Sequence, residues 1–442
     1  MAKIIIIGAA HGGRETVNGL LAANTDNEIH WYEHGQFATA LDWAPADAEK
    51  ERLALSQQVT LFDQTTVTKI TPATHTITAR NQRGQLQTDH YDRLVLSVGS
   101  LPIQLPIQLP IPGAELSGVR SIQNRASINE LKLAAKSAAI KNVVVIGGGY
   151  IGMNFAALFK QTGKQVTVID VNARPFSHNL DSEFTQILAA ASVENGLQLK
   201  MEERVTAVLG STHVTAVQTN RGQYAADLVL VAVGNRPNTA WLRGTLALDS
   251  EGLIETDDYF QTSVPDIYAI GDATKVRFTP TGTKERITLD SAASHAGRLL
   301  AHNLLTNQRI VFPGVQATSA LNAAGYYFAA TGLNTQLAVR MQQPVLATYI
   351  AVPRLVASAP ARLNATVHFK LFYDKTHRIL GAQIMSTAEL TAVINTVSLA
   401  IQMGTTLEQL AYGDFFFQPG LSQPVDVLST ASLQALQTLA TN

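Results

Sequence analysis

Two apolar runs in this chain end in glycine-rich turns, and a helical pattern follows each turn. The first run, KIIIIGAAHGG, covers Lys3–Gly13, and the second, NVVVIGGGYIG, covers residues 142–152. A short apolar run bounded by glycine is typical of a strand that is buried on both faces. Gly147 follows Gly8 by 139 residues, so the pattern predicts two copies of a β-α-β unit.

Other apolar segments predict the rest of the architecture. Strands are expected at Tyr91–Gly99, Asp227–Gly234, Ile267–Ala273, Val367–Tyr373 and Arg378–Met385, and a helix at Ser291–Leu305. Strands that alternate with helices favour parallel sheets. From about residue 320 onward the pattern changes, which indicates a different C-terminal unit.

Each glycine-rich turn is followed by an acidic residue at the end of the next apolar segment. The first segment, IHWYE, ends at Glu33, and the second, KQVTVID, ends at Asp170. Glycine lets the backbone turn tightly beside a pyrophosphate, and the helix N-terminus offers free N–H groups. An acidic side chain about 20 residues later accepts hydrogen bonds from ribose hydroxyls. One such motif also occurs in ordinary strand-to-helix turns, but two complete copies predict two dinucleotides that exchange electrons.

A proline-rich segment separates the two predicted units. Residues 100–113 read SLPIQLPIQLPIPG, with Leu-Pro-Ile-Gln at 101–104 and again at 105–108. Proline lacks a backbone N–H and cannot serve in a central strand. The segment is therefore expected to be a stiff, extended spacer between domains.

Composition excludes several classes of function. The chain has 442 residues, a formal net charge of −1 and 46% hydrophobic residues, and its basic residues form no stripe for nucleic acid. The longest apolar stretch, 143–159, is broken by four glycines, so no membrane span is expected. The N-terminal run is too short for a signal peptide, and a cytoplasmic location is expected. No metal site is predicted. The chain contains no cysteine, so cysteine usage cannot report its redox compartment.

Six collinear motifs resemble those of one enzyme family. They are GxxHGG at the start, WYE at 31–33, VVVIGGGYIG at 143–152, VAVGNRPNTAWL at 231–242, YAIGDA at 268–273 and DFFFQP at 414–419. The chain resembles the pyridine nucleotide–disulfide oxidoreductases, and within them the bacterial NADH peroxidase and NADH oxidase branch.

The resemblance implies an α/β fold with two doubly wound Rossmann-like nucleotide-binding domains and a C-terminal α+β dimerisation domain. The FAD-binding domain is expected at 1–112 and 241–320, the NADH-binding domain at 113–240 and the dimerisation domain at 321–442. A homodimer or a dimer of dimers follows from the resemblance, with the phenylalanine run 415–417 in the interface rather than in one subunit's core.

The family's cofactor-binding roles carry over to matching positions. FAD is expected to lie against Gly8, Ala10, Gly13, Glu33 and Asp272. NADH is expected to lie against Gly147, Gly149, Gly152 and Asp170. Further cofactor-binding positions are expected at Gly99, Gly234 and Gly271. Asp170 also favours NADH over NADPH, because a carboxylate repels a 2′-phosphate and no arginine follows it immediately.

The sequence departs from the family at the redox centre. The family's cysteine beside the flavin cycles between thiolate and sulfenic acid or forms disulfides, and Trp43 occupies its aligned position. Asn154 replaces a carboxylate beside the nicotinamide site, and Ser294 aligns with a supporting arginine. Without cysteine the chain cannot reduce peroxide by the family route or a disulfide by thiol exchange.

Three candidate catalytic residues each have two interpretations. His11 either donates a proton to a reduced oxygen species at the flavin or is only a side chain at a helix start. Trp43 either shapes an acceptor pocket or fills the space of the missing cysteine. Tyr150 either covers the flavin until nicotinamide displaces it or packs at the start of its helix.

Two classes of function remain open at this point. In the first, NADH reduces FAD, and FAD passes electrons directly to dioxygen, forming hydrogen peroxide, or to a small diffusible acceptor such as a quinone. In the second, the chain is a flavoprotein of little or no turnover that acts as a redox sensor or binding partner. The two intact nucleotide motifs favour the enzyme, whereas Trp43, Asn154 and Ser294 favour the second class.

Overall fold

The computed structural model describes residues 2–23, 26–37, 59–103, 111–122, 125–356 and 364–441. Its helices are α1 (His11–Ala22), α2 (Arg125–Lys136), α3 (Tyr150–Gln161), α4 (Ser182–Glu194), α5 (Asp290–Leu305), α6 (Thr335–Arg340), α7 (Val393–Met403), α8 (Leu407–Ala411) and α9 (Val427–Thr441). Short 3-10 turns lie at Pro72–Thr74, Ala240–Leu242 and Gly271–Ala273.

Within the described residues, the strands fall into seven sheets. The first twelve strands are β1 (Lys3–Ile7), β2 (Glu28–Tyr32), β3 (Val59–Phe62), β4 (Thr66–Thr71), β5 (Thr76–Arg80), β6 (Leu86–His90), β7 (Arg93–Leu96), β8 (Ser100–Pro102), β9 (Val119–Ser121), β10 (Asn142–Ile146), β11 (Gln165–Asp170) and β12 (Gln198–Met201). The others are β13 (Val205–Gly210), β14 (Val214–Thr219), β15 (Gln223–Ala225), β16 (Leu228–Val231), β17 (Asn235–Pro237), β18 (Ile267–Ala269), β19 (Val276–Arg277), β20 (Lys284–Glu285), β21 (Ser319–Ala323), β22 (Tyr326–Gly332), β23 (Leu346–Pro353), β24 (Thr366–Tyr373) and β25 (Ile379–Ser386).

The first five-stranded sheet has the order β18-β7-β1-β2-β3, and all its neighbouring pairs are parallel. The four isoleucines of β1 are buried, because α1 and α5 pack against one face of the sheet and β4 and β5 against the other. Strand β18 comes from far along the chain, after the second glycine-rich unit. This sheet is therefore completed from both sides of that unit.

The second five-stranded sheet repeats the first. Its order is β12-β11-β10-β16-β9, again with parallel neighbours. Strand β10 takes the central position that β1 takes in the first sheet, with the acid-terminated strand on one side. Each glycine-rich turn therefore lies at the carboxyl end of a central strand, where doubly wound sheets bind their ligands.

The C-terminal sheet is antiparallel, with the order β21-β22-β25-β24-β23. Helices α7, α8 and α9 contribute to the hydrophobic core that packs against it. The predicted fold class, two Rossmann-like domains and a C-terminal α+β domain, is confirmed.

The predicted domain boundaries stay a prediction. The spacer is described only in part, because 104–110 lie outside the described residues. Its first residues form β8, which pairs with β17 in an antiparallel ladder. Within the described ranges, no helix has the length and apolar character needed to cross a membrane.

Candidate functional site

The first glycine-rich turn is held by the strand beside it. The backbone nitrogen of Gly8 donates to the Tyr32 carbonyl oxygen at 2.8 Å, and Nε1 of Trp31 donates to the Gly8 carbonyl oxygen at 2.9 Å. Gly8 has a φ of +102°, and a Cβ there would lie 2.1 Å from the carbonyl oxygen of Ser97. Only glycine therefore fits at this point of the turn.

Glu33 lies directly beneath the same turn. Its Oε2 accepts a hydrogen bond from the backbone nitrogen of Ala9 and its Oε1 one from Gly35, both at 2.8 Å. Burial opposes ionisation of Glu33, but hydrogen bonds from His34, Gly35 and Ala9 outweigh it and lower the pKa of this carboxyl. Glu33 is therefore ionised at neutral pH, and a carboxylate has further lone pairs for ribose hydroxyls.

Helix α1 begins over this turn without a side-chain cap. Its N-cap residue, Ala10, has no hydroxyl or amide to accept from the first-turn N–H groups. Gly13 approaches the turn so closely that a Cβ would lie 1.9 Å from the Gly8 carbonyl oxygen. The uncapped N–H groups and the positive end of the helix are suited to a phosphate.

The second turn has the same construction. The backbone nitrogen of Gly147 donates to the Ile169 carbonyl oxygen at 2.9 Å, and that of Gly148 donates to Oδ2 of Asp170 at 2.5 Å. A Cβ on Gly152 would lie 1.9 Å from the Gly147 carbonyl oxygen. Both copies therefore place an acid at the end of the neighbouring strand against the turn.

Gly149 is the N-cap of α3 and differs from the other glycines of its turn. Its φ is −80° and a Cβ there would meet nothing within 4 Å, so the fold itself does not require glycine. Ala10 has the matching position and nearly the same backbone conformation in the first turn. The open space above Gly149 is where a pyrophosphate would approach.

Asp272 lies in the 3-10 turn after β18. Its Oδ2 accepts a hydrogen bond from Oγ of Ser100 at 2.7 Å. Burial raises the pKa of Asp272; Ser100 opposes this shift and the Asp290 carboxylate adds to it. A half-buried carboxyl of this kind is suited to further hydroxyl donors, such as those of a ribityl chain.

Three other glycines predicted to lie near a ligand all have positive φ. The φ angles are +63° for Gly99, +74° for Gly271 and +108° for Gly234. Gly99 and Gly234 lie beside the ladder of β8 and β17. Strands β7, β16 and β18 are thus each followed by a turn whose backbone conformation is rarely adopted by residues other than glycine.

His11 is the first residue of α1, and its Nε2 lies 3.3 Å from Oδ2 of Asp290, the first residue of α5. The His11 side chain is 23% exposed and that of Asp290 is 77% exposed. No feature of the sequence pointed to Asp290. The structure therefore adds a charged partner to this candidate residue.

Tyr150 is the first residue of α3, and its side chain lies between the second parallel unit and the C-terminal sheet. Its ring lies 5.9 Å from that of Phe176 and 6.0 Å from that of Phe328, and its hydroxyl is 3.3 Å from Oγ of Ser319. Burial raises the pKa of the Tyr150 phenol. This placement favours the packing interpretation, and the flavin-covering role stays a prediction.

The remaining departures from the family are placed as follows. Asn154 is exposed on α3, one turn after Tyr150, and Ser294 is half-buried on α5, one turn after Asp290. Trp43 lies outside the described residues. The structure therefore does not place Trp43 relative to His11.

Comparison with known proteins decides the family. The family profile described as pyridine nucleotide-disulphide oxidoreductase matches residues 2–297. The chain belongs to this family. The profile of the family's dimerisation domain matches residues 324–427 of the oxidoreductase.

Relatives of this oxidoreductase are similar over its whole length. An NADH oxidase of Enterococcus faecalis is 34% identical over 455 residues, covering 99% of this chain and 100% of the relative. The solved structure of a water-forming NADH oxidase from Lactobacillus brevis, bound to NADH, is 29% identical with a TM-score of 0.91, covering 100% of this chain and 99% of that one. An engineered NADPH oxidase derived from it, bound to NADPH, is 28% identical with a TM-score of 0.91 and covers 99% of each chain. The predicted branch and oxidoreductase class are confirmed.

The residues of this oxidoreductase fit the two cofactors. In both turns the following helix begins without a side-chain cap, and one glycine approaches the turn so closely that a Cβ would clash with a backbone carbonyl. An acidic side chain lies against each turn. The first unit also carries Asp272, a half-buried carboxyl that accepts a hydrogen bond from Ser100. The sequence did not indicate two supporting residues: Trp31, which donates a hydrogen bond to Gly8 in the first turn, and Ser100, which donates one to the Asp272 carboxyl.

Proposed function

We propose that this oxidoreductase is an FAD-dependent NADH oxidase that reduces dioxygen to hydrogen peroxide without a cysteine redox centre. The observation that carries the proposal is a contrast within one chain. Both glycine-turn and acid units are complete, whereas the sequence contains no cysteine. Compared with the family pattern, the chain retains both dinucleotide-binding units but lacks the redox-active cysteine thiol.

The first unit would hold FAD. Gly8, Gly13 and the start of α1 would bind its pyrophosphate, Glu33 the adenosine ribose and Asp272 a hydroxyl of the ribityl chain. When bound, FAD accepts a hydride from NADH and passes two electrons to dioxygen. The chain's contribution is to hold both cofactors at a fixed distance and orientation.

The second unit would hold NADH. Gly147, Gly152 and the start of α3 would bind its pyrophosphate, and Asp170 would accept from the 2′-hydroxyl of the ribose. A 2′-phosphate would meet the Asp170 carboxylate instead, which is repulsive. NADH is therefore the preferred reductant.

Peroxide is the proposed product because the chain lacks the group that would reduce it further. The Lactobacillus brevis relative is described as water-forming. In this family, reduction of peroxide to water uses a cysteine thiolate, and this chain has none. Two electrons from one NADH then yield one hydrogen peroxide.

A second candidate function is a flavoprotein of low turnover that acts as a redox sensor or binding partner. It is favoured by the replacements at Trp43, Asn154 and Ser294. Trp43→Ala separates the two interpretations of the tryptophan: reoxidation by oxygen becomes faster if Trp43 fills the acceptor space, and slower or less selective if it forms a pocket wall. A small acceptor such as a quinone remains an alternative to oxygen.

The C-terminal sheet would form a homodimer or a dimer of dimers. Several large apolar side chains of this region are exposed in the single chain, among them Tyr412, Phe416 and Phe417 at 78%, 72% and 45%. Exposed aromatic side chains in a group are typical of protein interfaces. Size measurement in solution tests this part of the proposal.

The stoichiometry of oxygen and NADH tests the proposed product. With purified protein in an oxygen electrode, one oxygen is expected to disappear per NADH oxidised, and catalase is expected to return half of it. Two NADH per oxygen, with no response to catalase, would show that water is formed and that the proposal is wrong. FAD absorbance in the purified protein is required at the outset.

A further inference from the structure

Two helices that are distant in sequence bring their first residues together. His11 opens α1 and Asp290 opens α5, and the side chains approach to 3.3 Å between Nε2 and Oδ2. The imidazole is mostly buried, and the carboxylate reaches solvent. The pair therefore extends from the mostly buried start of α1 to the solvent.

The position of this pair is fixed by backbone packing. A Cβ on Gly297 would lie 2.3 Å from the Gly12 carbonyl oxygen, and one on Gly19 would lie 2.6 Å from the Cβ of Ala301. Oγ1 of Thr16 also contacts the Gly297 carbonyl oxygen at 3.4 Å. Helices that touch along glycines leave little room to slide, so the two N-termini keep their relative position.

The ends of the two helices also act on the pair. An acidic side chain in the first turn of α5 is stabilised by the positive end of that helix, whereas a protonated His11 at the start of α1 is not. Asp290 offsets the second effect. Asp272 interacts electrostatically with both members of the pair and with Arg286.

The other charged groups of these two helices pair with one another. Nε of Arg298 on α5 lies 2.6 Å from Oε2 of Glu15 on α1, and Nε of Arg14 lies 3.8 Å from Oε1 of the same glutamate. His295 is exposed on α5. Ser294, one turn from Asp290, is uncharged, so it brings no competing cation to the pair.

Formation of hydrogen peroxide from dioxygen requires two electrons and two protons. The hydride of NADH carries both electrons and one proton, so one more proton must reach the reduced oxygen. We propose that Asp290 is a positioning residue that holds the His11 imidazole for delivery of this second proton, after which solvent reprotonates the ring. This inference rests on the proposed oxidase function and assigns the proton path of the same site.

The pairing is tested by site-resolved acylation of histidines in the purified protein. Diethyl pyrocarbonate attacks an unprotonated ring nitrogen, and peptide mass spectrometry reports His11 separately. In Asp290→Ala, His11 is expected to be acylated faster, because the variant removes the carboxylate that lies 3.3 Å from Nε2 and opens that nitrogen to the reagent. Glu408→Ala is the matched control, because Glu408 pairs with His377 at the start of α8. Glu408→Ala is expected to change the rate of acylation of His377 and to leave that of His11 unchanged.

The role in proton delivery is tested by separating the two half-reactions. In Asp290→Ala, anaerobic reduction by NADH is expected to keep its rate and reoxidation by oxygen to slow about tenfold, with recovery in Asp290→Glu. His11→Ala is expected to slow reoxidation about a hundredfold, the usual contribution of a general acid. In the double variant, Asp290→Ala is expected to add no further loss, because it acts through His11.

Each outcome decides the inference. Unchanged acylation of His11 in Asp290→Ala overturns the pairing, and additive losses in the double variant overturn the action through His11. If the parent protein is not reoxidised by oxygen, the proposed function fails, while the acylation pattern still decides whether the pair exists. If Asp290→Ala speeds acylation of His11 but leaves the rate of flavin reoxidation unchanged, the two residues form a pair that has no part in proton delivery. The inference is then wrong.

Discussion

Glu33 accepts a hydrogen bond from the backbone nitrogen of Ala9 at 2.8 Å, so the acid that ends one strand holds the glycine-rich turn that ends its neighbour. The family pattern assigns this acid to a ribose. The structure gives it a second task that operates before any cofactor binds. Asp170 and Gly148 repeat the relationship in the second unit.

Replacement of Glu33 by alanine is expected to lower both stability and FAD retention. The change leaves the buried N–H group of Ala9 and the half-buried N–H group of Gly35 without their acceptor, which costs about 2 kcal/mol of unfolding free energy. Urea denaturation and flavin content after gel filtration measure the two effects. Glu130→Ala, an exposed acid on α2, is the control and is expected to change neither. Full flavin content in Glu33→Ala would contradict its assignment to the first dinucleotide.

Gly149→Ala is expected to separate folding from NADH binding. A Cβ there meets nothing, so the free energy of unfolding is expected to change by less than about 1 kcal/mol. The methyl group enters the space where the pyrophosphate approaches, and the KM for NADH is expected to rise by up to about tenfold, or ~1.4 kcal/mol of binding. Gly152→Ala is the contrast, because its Cβ would clash with the Gly147 carbonyl oxygen and the fold itself is expected to suffer. An unchanged KM in Gly149→Ala would contradict this expectation and show that the second turn accommodates alanine, as the first turn does with Ala10.

Asp170→Asn combined with Val171→Arg is expected to reverse the preference from NADH to NADPH. Asparagine keeps an oxygen acceptor for the backbone nitrogen of Gly148 but removes the negative charge. Val171 is 57% exposed, so an arginine there has room to reach a 2′-phosphate. The ratio of kcat/KM for the two nucleotides is expected to change by at least about tenfold. Asp170→Asn alone serves as the control and is expected to weaken NADH use without creating NADPH use.

Asp89 is expected to make the stability of the first unit depend on acidic pH. Burial opposes ionisation of Asp89, but hydrogen bonds from His30, Tyr32 and Lys3 outweigh it and lower the pKa of its carboxyl. Its stabilisation is thus complete above the unfolded pKa of about 3.9 and is lost as pH falls through the lower native value.

Urea denaturation from pH 6 downward tests this dependence on Asp89. The parent protein is expected to lose more unfolding free energy across that window than Asp89→Asn, which has no carboxyl to titrate. Asp26→Asn, at an exposed acid, is the control and is expected to follow the parent. Parallel curves for the parent and Asp89→Asn would show that Asp89 does not carry the effect.

The sequence predicted the parts of the site that are local in the chain. Gly8, Gly13 and Glu33 belong to one strand-turn-helix pattern, and the structure brings them together as that pattern requires. The predicted helix at 291–305 begins one residue earlier, at Asp290. That single residue is the partner of His11, and no spacing rule connects positions so far apart.

Contacts between separate units were also beyond sequence reasoning. The packing around Tyr150 depends on Ser319 and Phe328, which belong to the C-terminal sheet. The hydrogen bond from Trp31 to Gly8 depends on the face of β2 to which the Trp31 side chain points. Such contacts are set by how sheets and helices pack, whereas the glycine motifs are set by backbone geometry alone.

Anaerobic mixing of the FAD-loaded protein with NADH in a stopped-flow spectrometer, followed by addition of oxygen, tests whether this oxidoreductase is a cysteine-independent NADH oxidase. Rapid bleaching of the flavin band is expected, followed by reoxidation that releases one hydrogen peroxide per flavin. Absence of bleaching would contradict an NADH oxidase and favour a binding protein built on the same scaffold. Bleaching followed by slow reoxidation would contradict oxygen as the acceptor.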